Sequence, residues 1–256
     1  MLLASYTLWL REIVRFLRQR SRIVGALGSP LVFWFLIGSG LNRSFQGGPS
    51  MSLQGGYLEY FYPGTLALIV LFTAIFSTIT IVEDRQEGFL QGVLVAPVPR
   101  VAIVAGKVLG STTLAVLQGA LVLLLAPLAQ VRIHMVDLPF LVAVMVLVAF
   151  GLSGLGFLVA WWLDSTQGFH AIMNVFLIPM WILSGALFPA SGAAGWVRLL
   201  MFANPLTYGV SALRHLFYDH PVPGEPPFSV SLVVVVAFAV AMGVAGTLAV
   251  GRKKSS

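Results

Sequence analysis

The chain has 256 residues, of which 58% are hydrophobic and 9% are charged, and its formal net charge at pH 7 is +6. Soluble domains contain about 25% charged residues, so this composition excludes an ordinary soluble enzyme, a coiled coil and a disordered chain. The absence of cysteine also excludes a disulfide framework, a thiolate metal site and a cysteine nucleophile.

Residues 1–22 have an amphipathic pattern. At about 100° per residue, four arginines share one face, and apolar side chains between Tyr6 and Leu17 cluster on the other. We expect a helix in the cytoplasmic interface, with its apolar side in the acyl boundary and its arginines toward anionic headgroups. Arg20 falls on the apolar face, so the helix should bend or end there. The four arginines are Arg11, Arg15, Arg18 and Arg22.

Six apolar stretches without charge follow, each close to or above the roughly 20 residues that cross a bilayer. Period-2 alternation is absent, which favours helices over a closed barrel. We therefore predict an all-α polytopic membrane protein with six transmembrane helices. The predicted spans are residues 23–41, 63–82, 108–131, 138–163, 171–188 and 228–250.

The basic residues are distributed unevenly between alternate loops. Five arginines precede the first span, three basic residues follow the second, and three more lie at the C-terminal end. Cytoplasmic loops carry such an excess, so both termini are predicted to be cytoplasmic. The scattered positions, without one continuous patch, argue against nucleic-acid binding. The basic residues left for the opposite side are Arg43, Arg132, Arg198 and Arg214.

Residues 83–100, on the predicted cytoplasmic side, begin with charges and continue as an apolar stripe at helical spacing. Pro97 and Pro99 end this segment because proline cannot continue a helix. The stripe predicts a short amphipathic helix that either rests on the bilayer or fills a groove on a cytoplasmic partner, and spacing alone leaves both open. The residues of interest are Glu83, Asp84, Arg85, Glu87, Gly88, Phe89, Leu90, Val93 and Leu94.

Residues 189–227, after the fifth span, are too apolar for an ordinary outside loop. The run at 196–202 is too short to cross a bilayer, so we predict a re-entrant or interfacial helical hairpin before the last span. The Asn204-Pro205 pair should break it, and residues 206–218 should resume as a second short helix. Arg214 on that helix would need a partner from a neighbouring span or a lipid phosphate.

Three motifs then occur in order along the whole chain: an aromatic-Pro-Gly sequence at 60–64, the segment 87–97, and the signature at 204–208 followed by an arginine. In this order, between six spans and after an interfacial helix, they resemble the permeases of type-2 ABC exporters, which include drug, nodulation-factor and polysaccharide exporters. Gln91 stands where the family commonly has Glu. The residues of interest in the first and third motifs are Pro63, Gly64, Asn204, Pro205, Tyr208 and Arg214.

The resemblance implies that residues 83–100 couple the permease to an ATPase. It also implies two permease copies, with a homodimer as the simpler assembly, and two ATPase subunits in a bacterial inner membrane. The chain lacks the pattern G-x-x-x-x-G-K-[ST], because Val108 follows its only Gly-Lys pair. ATP should therefore bind to the partner, and no cofactor of this chain is expected. An amphiphilic drug-like or lipidic substrate is the first expectation, and a lipid-linked saccharide the alternative.

Two other classes of membrane protein are alternatives to an ABC permease. A proton-coupled carrier normally keeps a carboxylate at membrane depth, whereas the nine acidic residues all fall outside the predicted spans. A membrane-embedded enzyme needs a constellation of catalytic side chains. The four histidines are scattered, and His215 and His220, near Asp219, are spaced five apart and share a helix face poorly. Both classes are therefore disfavoured.

Overall fold

The computed structural model of the chain describes residues 2–41, 56–131, 133–218 and 222–252. Within these ranges the protein is helical and contains no β-strand, which confirms the predicted all-α class. Some positions used above lie outside the described residues, namely Arg43, Arg132, Asp219, His220, Lys253 and Lys254.

The described residues form eleven α-helices. Two of these helices continue directly into another helical segment. A 3-10 turn, Ser77–Ile79, joins α3 to α4, and a π-helical segment, Ile182–Ala186, follows α8. The helices are α1 Leu2–Arg18, α2 Arg20–Leu41, α3 Gly56–Phe76, α4 Thr80–Gln86, α5 Phe89–Val95, α6 Arg100–Leu123, α7 Leu138–Trp162, α8 Thr166–Trp181, α9 Gly195–Ala203, α10 Pro205–Phe217 and α11 Phe228–Arg252.

Five helical stretches in the described residues are long and apolar enough to cross a membrane. The helix α2 has a shorter apolar part, Pro30–Leu41, so the count of six spans stays a prediction at the first span. The break between α1 and α2 lies at Gln19, one residue before the position expected from Arg20. The five stretches are Gly56–Gln86, Arg100–Leu123, Leu138–Trp162, Thr166–Ala186 and Phe228–Gly251.

The second span is the central helix of the fold. The stretch Gly56–Gln86 has 31 residues, and 89% of its apolar window is buried against the neighbouring helices. At 1.5 Å per residue it is about 46 Å long, which exceeds the roughly 30 Å of a bilayer core. The helix is therefore long enough for its last turn, which carries the charged residues 83–85, to extend beyond the core.

The helix of the third predicted span begins and ends earlier along the chain than the span itself. The predicted span runs from residue 108, directly after Lys107, to residue 131, whereas α6 runs over Arg100–Leu123. Lys107 is buried inside this helix and is paired with acidic side chains. Pairing removes most of the cost of burying the charge, so the helix continues through this position.

The helices α7 and α11 pack closely because glycine removes the side chain at their contact. A Cβ added to Gly154 would lie 2.8 Å from the Cβ of Met242, and one added to Gly151 would lie 2.6 Å from the ring of Phe238. The apolar window of α11 is only 17% buried, so most of its surface faces away from the protein, where lipid can solvate it.

Candidate functional site

Residues 83–100, which we call the coupling segment after its predicted role, contain the end of α4, a left-handed turn, α5 and an extended stretch that leads to α6. Gly88 lies between the helices with a φ of 78°. This conformation costs a residue that has a Cβ about 1–2 kcal/mol. A Cβ on Gly88 would meet no atom within 4 Å, so the backbone angle alone accounts for the glycine.

Asp84 is the centre of a charged cluster between α1, α4 and α6. Arg11 donates two hydrogen bonds to its carboxylate, at 2.7 and 2.9 Å, and Arg15 donates another at 2.9 Å. Lys107 donates a further hydrogen bond from α6. Asp84 is fully buried, and three cations compensate its charge. The hydrogen bonds to Asp84 raise the pKa of Arg11 above its ordinary value, so this side chain stays charged.

Glu12 is the second buried acid of this cluster. The Nζ atom of Lys107 lies 2.5 Å from its carboxylate, and the hydroxyl of Thr80 donates to the other oxygen at 2.7 Å. The close approach of α1 to α6 depends on Gly110, since a Cβ there would lie 2.8 Å from the Cβ of Glu12. We call Arg11, Glu12, Arg15, Asp84 and Lys107 the charged cluster.

The partners of the N-terminal helix differ from those predicted. Its arginines were expected to face lipid headgroups, but Arg11 and Arg15 point to acids of the protein, and Arg15 also lies 2.9 Å from Glu83. Arg18 is exposed, and the side chain of Arg22 is outside the described structure. A carboxylate and a phosphate both attract arginine, so the charge pattern of α1 does not distinguish between them.

The apolar stripe of α5 divides between the inside and the outside of the protein. Leu90 is only 4% exposed and packs into the core. Phe89, Leu94 and Val95 are 37%, 44% and 87% exposed, and the guanidinium of Arg11 lies 3.8 Å from the centre of the Phe89 ring. We call these three residues the exposed coupling face.

The other residues of interest in the coupling segment have separate surroundings. Glu87 is mostly exposed and lies 3.3 Å from Arg15, whereas Val93 is half-buried. Arg85 points away from the charged cluster, toward backbone carbonyl oxygens at the end of α7. The segment is therefore attached on two sides, to α1 and α6 by Asp84 and to α7 by Arg85.

The predicted hairpin is present as α9 and α10, with the break at Asn204. The side-chain amide of Asn204 donates to the carbonyl of Met180 at 2.6 Å, and its oxygen caps α10 by accepting a backbone N–H at 3.0 Å. Pro205 occupies the first position of α10, where its missing N–H has no cost. Tyr208 donates to the carbonyl of Phe202 at 2.9 Å, which ties α10 back to α9.

Arg214 holds this hairpin against the central helix. It is buried, it forms an ion pair with Glu225, and its Nη2 donates to the carbonyl of Gly185 at 2.8 Å. The guanidinium lies 4.1 Å from the centre of the Tyr60 ring, and the hydroxyl of Tyr60 donates to the same carbonyl at 2.9 Å. Gly185 has a φ of 82°, which orients its carbonyl within the π-helical segment. We call these four residues the hairpin network.

The aromatic-Pro-Gly motif brings α3 into contact with the same π-helical segment. A Cβ on Gly64 would lie 2.6 Å from the Cβ of Ala186, so glycine is needed for this approach. The carbonyl of Gly64 accepts a hydrogen bond from the indole of Trp181 at 2.8 Å, and Pro63 is buried inside α3. The motif predicted from the sequence therefore marks a helix contact.

A cavity of about 540 Å³ lies between α2, α3 and α8. Its walls are mainly aromatic and aliphatic, and Thr73 and Ser77 contribute hydroxyl groups. A volume of roughly 300–1,000 Å³ is typical of sites for drug-sized ligands. The main wall residues are Phe33, Phe72, Phe76, Ile178 and Trp181.

Sequence reasoning did not identify several members of these sites. The sequence places Glu12 and Lys107 of the charged cluster outside the predicted spans and indicates no partner for them. It indicates Tyr60 only as part of the motif at 60–64, and it assigns no role to Gly185 and Glu225. One signal was available: Glu12 lies four residues from Leu8 and four from Phe16, which are the other positions that α1 buries. Among the described residues, no group of three or more His, Asp or Glu side chains is placed to hold a metal ion.

These features define a polytopic helical membrane protein in which residues 83–100 form an anchored helical segment at one end of the central helix. The family described as ABC-2 type transporter matches residues 4–218. The chain therefore belongs to the ABC-2 type transporter family, and it is a membrane subunit of an ABC transporter.

Named relatives agree with this assignment. The inner membrane transport permease YadH of Escherichia coli K12 is 25% identical over 239 residues, which cover 92% of this chain and 91% of YadH. Nodulation protein J of Rhizobium leguminosarum bv. trifolii is 25% identical, covering 84% of this chain and 81% of that protein. The transport permease ycf38 of Cyanophora paradoxa is 26% identical, covering 82% of this chain and 72% of ycf38.

Proposed function

We propose that this chain is the permease subunit of an ATP-driven exporter. Two copies of the chain form a homodimer, two ATPase subunits bind on the cytoplasmic side, and an amphiphilic substrate passes between the copies. The exporter lies in a bacterial inner membrane with both termini of the permease cytoplasmic, in agreement with the excess of basic residues in the terminal segments.

The observation that carries this proposal is the anchored coupling segment. A helix that only rests on lipid needs no fixed orientation, whereas α4 is held by the charged cluster and by Arg85. This fixed segment presents Phe89, Leu94 and Val95 outward. A rigid base with exposed apolar side chains is suited to filling a groove on a partner, because little ordering entropy is lost on binding.

The cavity supports an amphiphilic substrate. Aromatic and aliphatic walls can bind acyl chains or ring systems by burial of apolar surface. A saccharide would need many hydrogen-bond partners, but only three of the described residues that line this cavity have polar side chains, namely Thr73, Ser77 and His170. The hydroxyl groups of Thr73 and Ser77 already donate to other protein atoms. The amphiphile is therefore favoured over a lipid-linked saccharide headgroup in this cavity.

Transport should require ATP hydrolysis by the partner and should not require a proton gradient. The test uses proteoliposomes that contain the permease with the ATPase that co-purifies from its native membrane, and rhodamine 6G as an amphiphilic probe. We expect ATP-dependent movement of the dye that continues when a protonophore is added.

Two results would contradict parts of this proposal. Sustained dye movement driven by a pH step without ATP would replace the ATP-driven exporter with a proton-coupled carrier. ATP-dependent movement of a lipid-linked saccharide, with no movement of the dye, would replace the amphiphilic substrate with the alternative cargo.

The exposed coupling face should bind the ATPase. Truncating Leu94 and Val95 to alanine should leave the permease folded, because both side chains are largely exposed. It should weaken ATPase binding by about 2 kcal/mol, or about 30-fold in affinity. The measurement is the amount of ATPase that co-purifies at equal permease expression.

Leu128 and Val136 provide a matched control for this double variant. They are also apolar and exposed, at 67% and 77%, but they lie between α6 and α7. In the predicted topology Leu128 is near the outer end of the third span and Val136 is in the outside loop that follows, so both are remote from the cytoplasmic side. Their truncation should leave ATPase binding unchanged. If both double variants retained as much ATPase as the parent, the exposed coupling face would not bind the ATPase and would instead rest on the membrane surface.

A further inference from the structure

The side chain of Arg85 bridges the coupling segment to the junction between α7 and α8. Its Nη2 donates to the carbonyl of Trp161 at 2.6 Å, and its Nη1 donates to the carbonyl of Leu163 at 2.7 Å. The next residue, Gln86, donates to the carbonyl of Asp164 at 2.8 Å. Two successive side chains of α4 thus bind three backbone carbonyl groups within residues 161–164, at the end of α7.

We expect the backbone contacts of Arg85 to contribute more to its anchoring than its ion pair does. The carboxylate of Asp164 lies 2.8 Å from Nη1, but this side chain is 83% exposed, and exposed pairs contribute little. The carbonyl groups lie at the C-terminal end of α7, where the helix dipole favours a cation. The guanidinium is also largely buried and lies 5.6 Å from the centre of the Trp161 ring.

The residues held by Arg85 lead directly into α8. Ser165 caps α8 by accepting the backbone N–H of Gly168, so the helix begins within three residues of the Leu163 carbonyl. This helix forms one wall of the cavity, and it ends in the π-helical segment whose Gly185 carbonyl belongs to the hairpin network. A displacement of α4 can therefore reach the cavity wall through these hydrogen bonds and the few backbone residues that lead into α8.

We propose that Arg85 is the positioning residue that passes movement of the coupling segment to α8. Asp84 and Arg85 are neighbours in α4 but point to different sides, since Asp84 holds α1 and α6 whereas Arg85 holds the α7–α8 junction. Asp84 keeps the coupling segment in place, and Arg85 links it to the helix that lines the cavity. This inference rests on the proposed ATPase coupling.

Arg100 provides a matched control because it makes the same kind of contact to another helix. Its Nη1 donates to the carbonyls of Val250 and Gly251, at 3.0 and 2.6 Å, at the C-terminal end of α11. Both arginines thus bind terminal carbonyls of a membrane helix, but only Arg85 is attached to the junction that leads to α8.

The test follows α8 and the coupling segment separately. Because the chain has no cysteine, Val175→Cys on the exposed face of α8 and Gln91→Cys on α5 can each carry a single environment-sensitive fluorophore. Each labelled variant is assembled with its ATPase in proteoliposomes, and the emission shift on adding ATP with vanadate is measured. No transport substrate is required.

We expect Arg85→Gln to abolish the emission shift at Val175→Cys and to retain the shift at Gln91→Cys. ATPase co-purification should be unchanged, and Arg100→Gln should behave like the parent at both positions. A role in folding alone would instead reduce co-purification and the shifts at both positions together.

Three outcomes would overturn the inference: a retained α8 shift in Arg85→Gln, an equal loss in Arg100→Gln, or the pattern expected for a folding role. If the parent binds the ATPase and its coupling segment responds while α8 does not, this inference fails but the proposed function stands. If the parent binds no ATPase, the proposed function itself fails.

Discussion

Replacing Lys107 with methionine should destabilise the folded permease by about 3–5 kcal/mol, because it removes one partner of a buried ion cluster. Lys107 is 3% exposed and bonds to both Glu12 and Asp84, which are themselves buried. Without it, the two carboxylates keep only the arginines of α1 as cationic partners. The measurement is the thermal unfolding midpoint of the purified permease in detergent, together with its yield as a monodisperse species.

A second variant separates the loss of charge balance from the loss of packing. Adding Glu12→Gln to Lys107→Met removes one negative charge together with the positive one, so part of the lost stability should return. The hydrogen bond from Thr80 can still be accepted by the glutamine oxygen. An unfolding midpoint for Lys107→Met equal to that of the parent would show that the cluster does not stabilise the fold.

Replacing Arg214 with methionine should have an effect of similar size, about 3–5 kcal/mol, because Glu225 would remain buried without its cation. Arg214→Lys should also be poorly tolerated. The guanidinium reaches Glu225 with one nitrogen and the Gly185 carbonyl with the other, while it lies over the Tyr60 ring. A single ammonium group cannot reproduce this planar arrangement. The thermal unfolding midpoint in detergent again provides the measurement.

Arg198 is the control for this substitution. It donates to the carbonyls of Ala190 and Ser191, at 3.0 and 3.1 Å, but it is exposed on α9. Arg198→Lys should therefore change stability by no more than about 0.5 kcal/mol, as most surface substitutions do. If Arg214→Lys were as mild as Arg198→Lys, the hairpin network would contribute no specific stabilisation.

The charged cluster and the hairpin network stabilise opposite ends of the central helix. Asp84 lies near the end of the 31-residue helical stretch Gly56–Gln86, and Tyr60 lies near its start. The first cluster attaches the coupling segment to α1 and α6, and the hairpin network attaches the π-helical segment to α10. In the proposed exporter, α8 is the helix connected to both ends, through Arg85 at its beginning and through Gly185 beyond its end.

Much of the local structure could be predicted from the sequence. Long stretches without charge identify membrane helices because an unpaired charge in a bilayer is costly. The Asn204-Pro205 break was predictable because proline begins a helix well and asparagine caps one. The amphipathic pattern predicted that α1 is a helix and that it ends near Arg20, and both agree with the structure.

The partners of the charged side chains could not be predicted in this way. Arg11 and Asp84 are 73 residues apart, and the backbone carbonyl of Tyr60 and its donor Arg214 are 154 apart. A periodic pattern shows which face of a helix is charged, but it contains no information about the element that packs there. For the same reason, Leu90 and Leu94 belong to one predicted stripe although only Leu90 packs into the core.

The sequence by itself determined that this protein is a helical membrane protein, because hydrophobic length and the distribution of charge are local properties, and the order of its motifs indicated the transporter family. Tertiary structure alone decided that Lys107 belongs inside α6, that Arg11 and Arg15 of α1 bind carboxylates of the protein, and that Arg85 binds the α7–α8 junction. These contacts depend on how closely distant helices approach. That distance is set by packing at positions such as Gly110 and Gly64, where the absence of a Cβ lets two backbones come together.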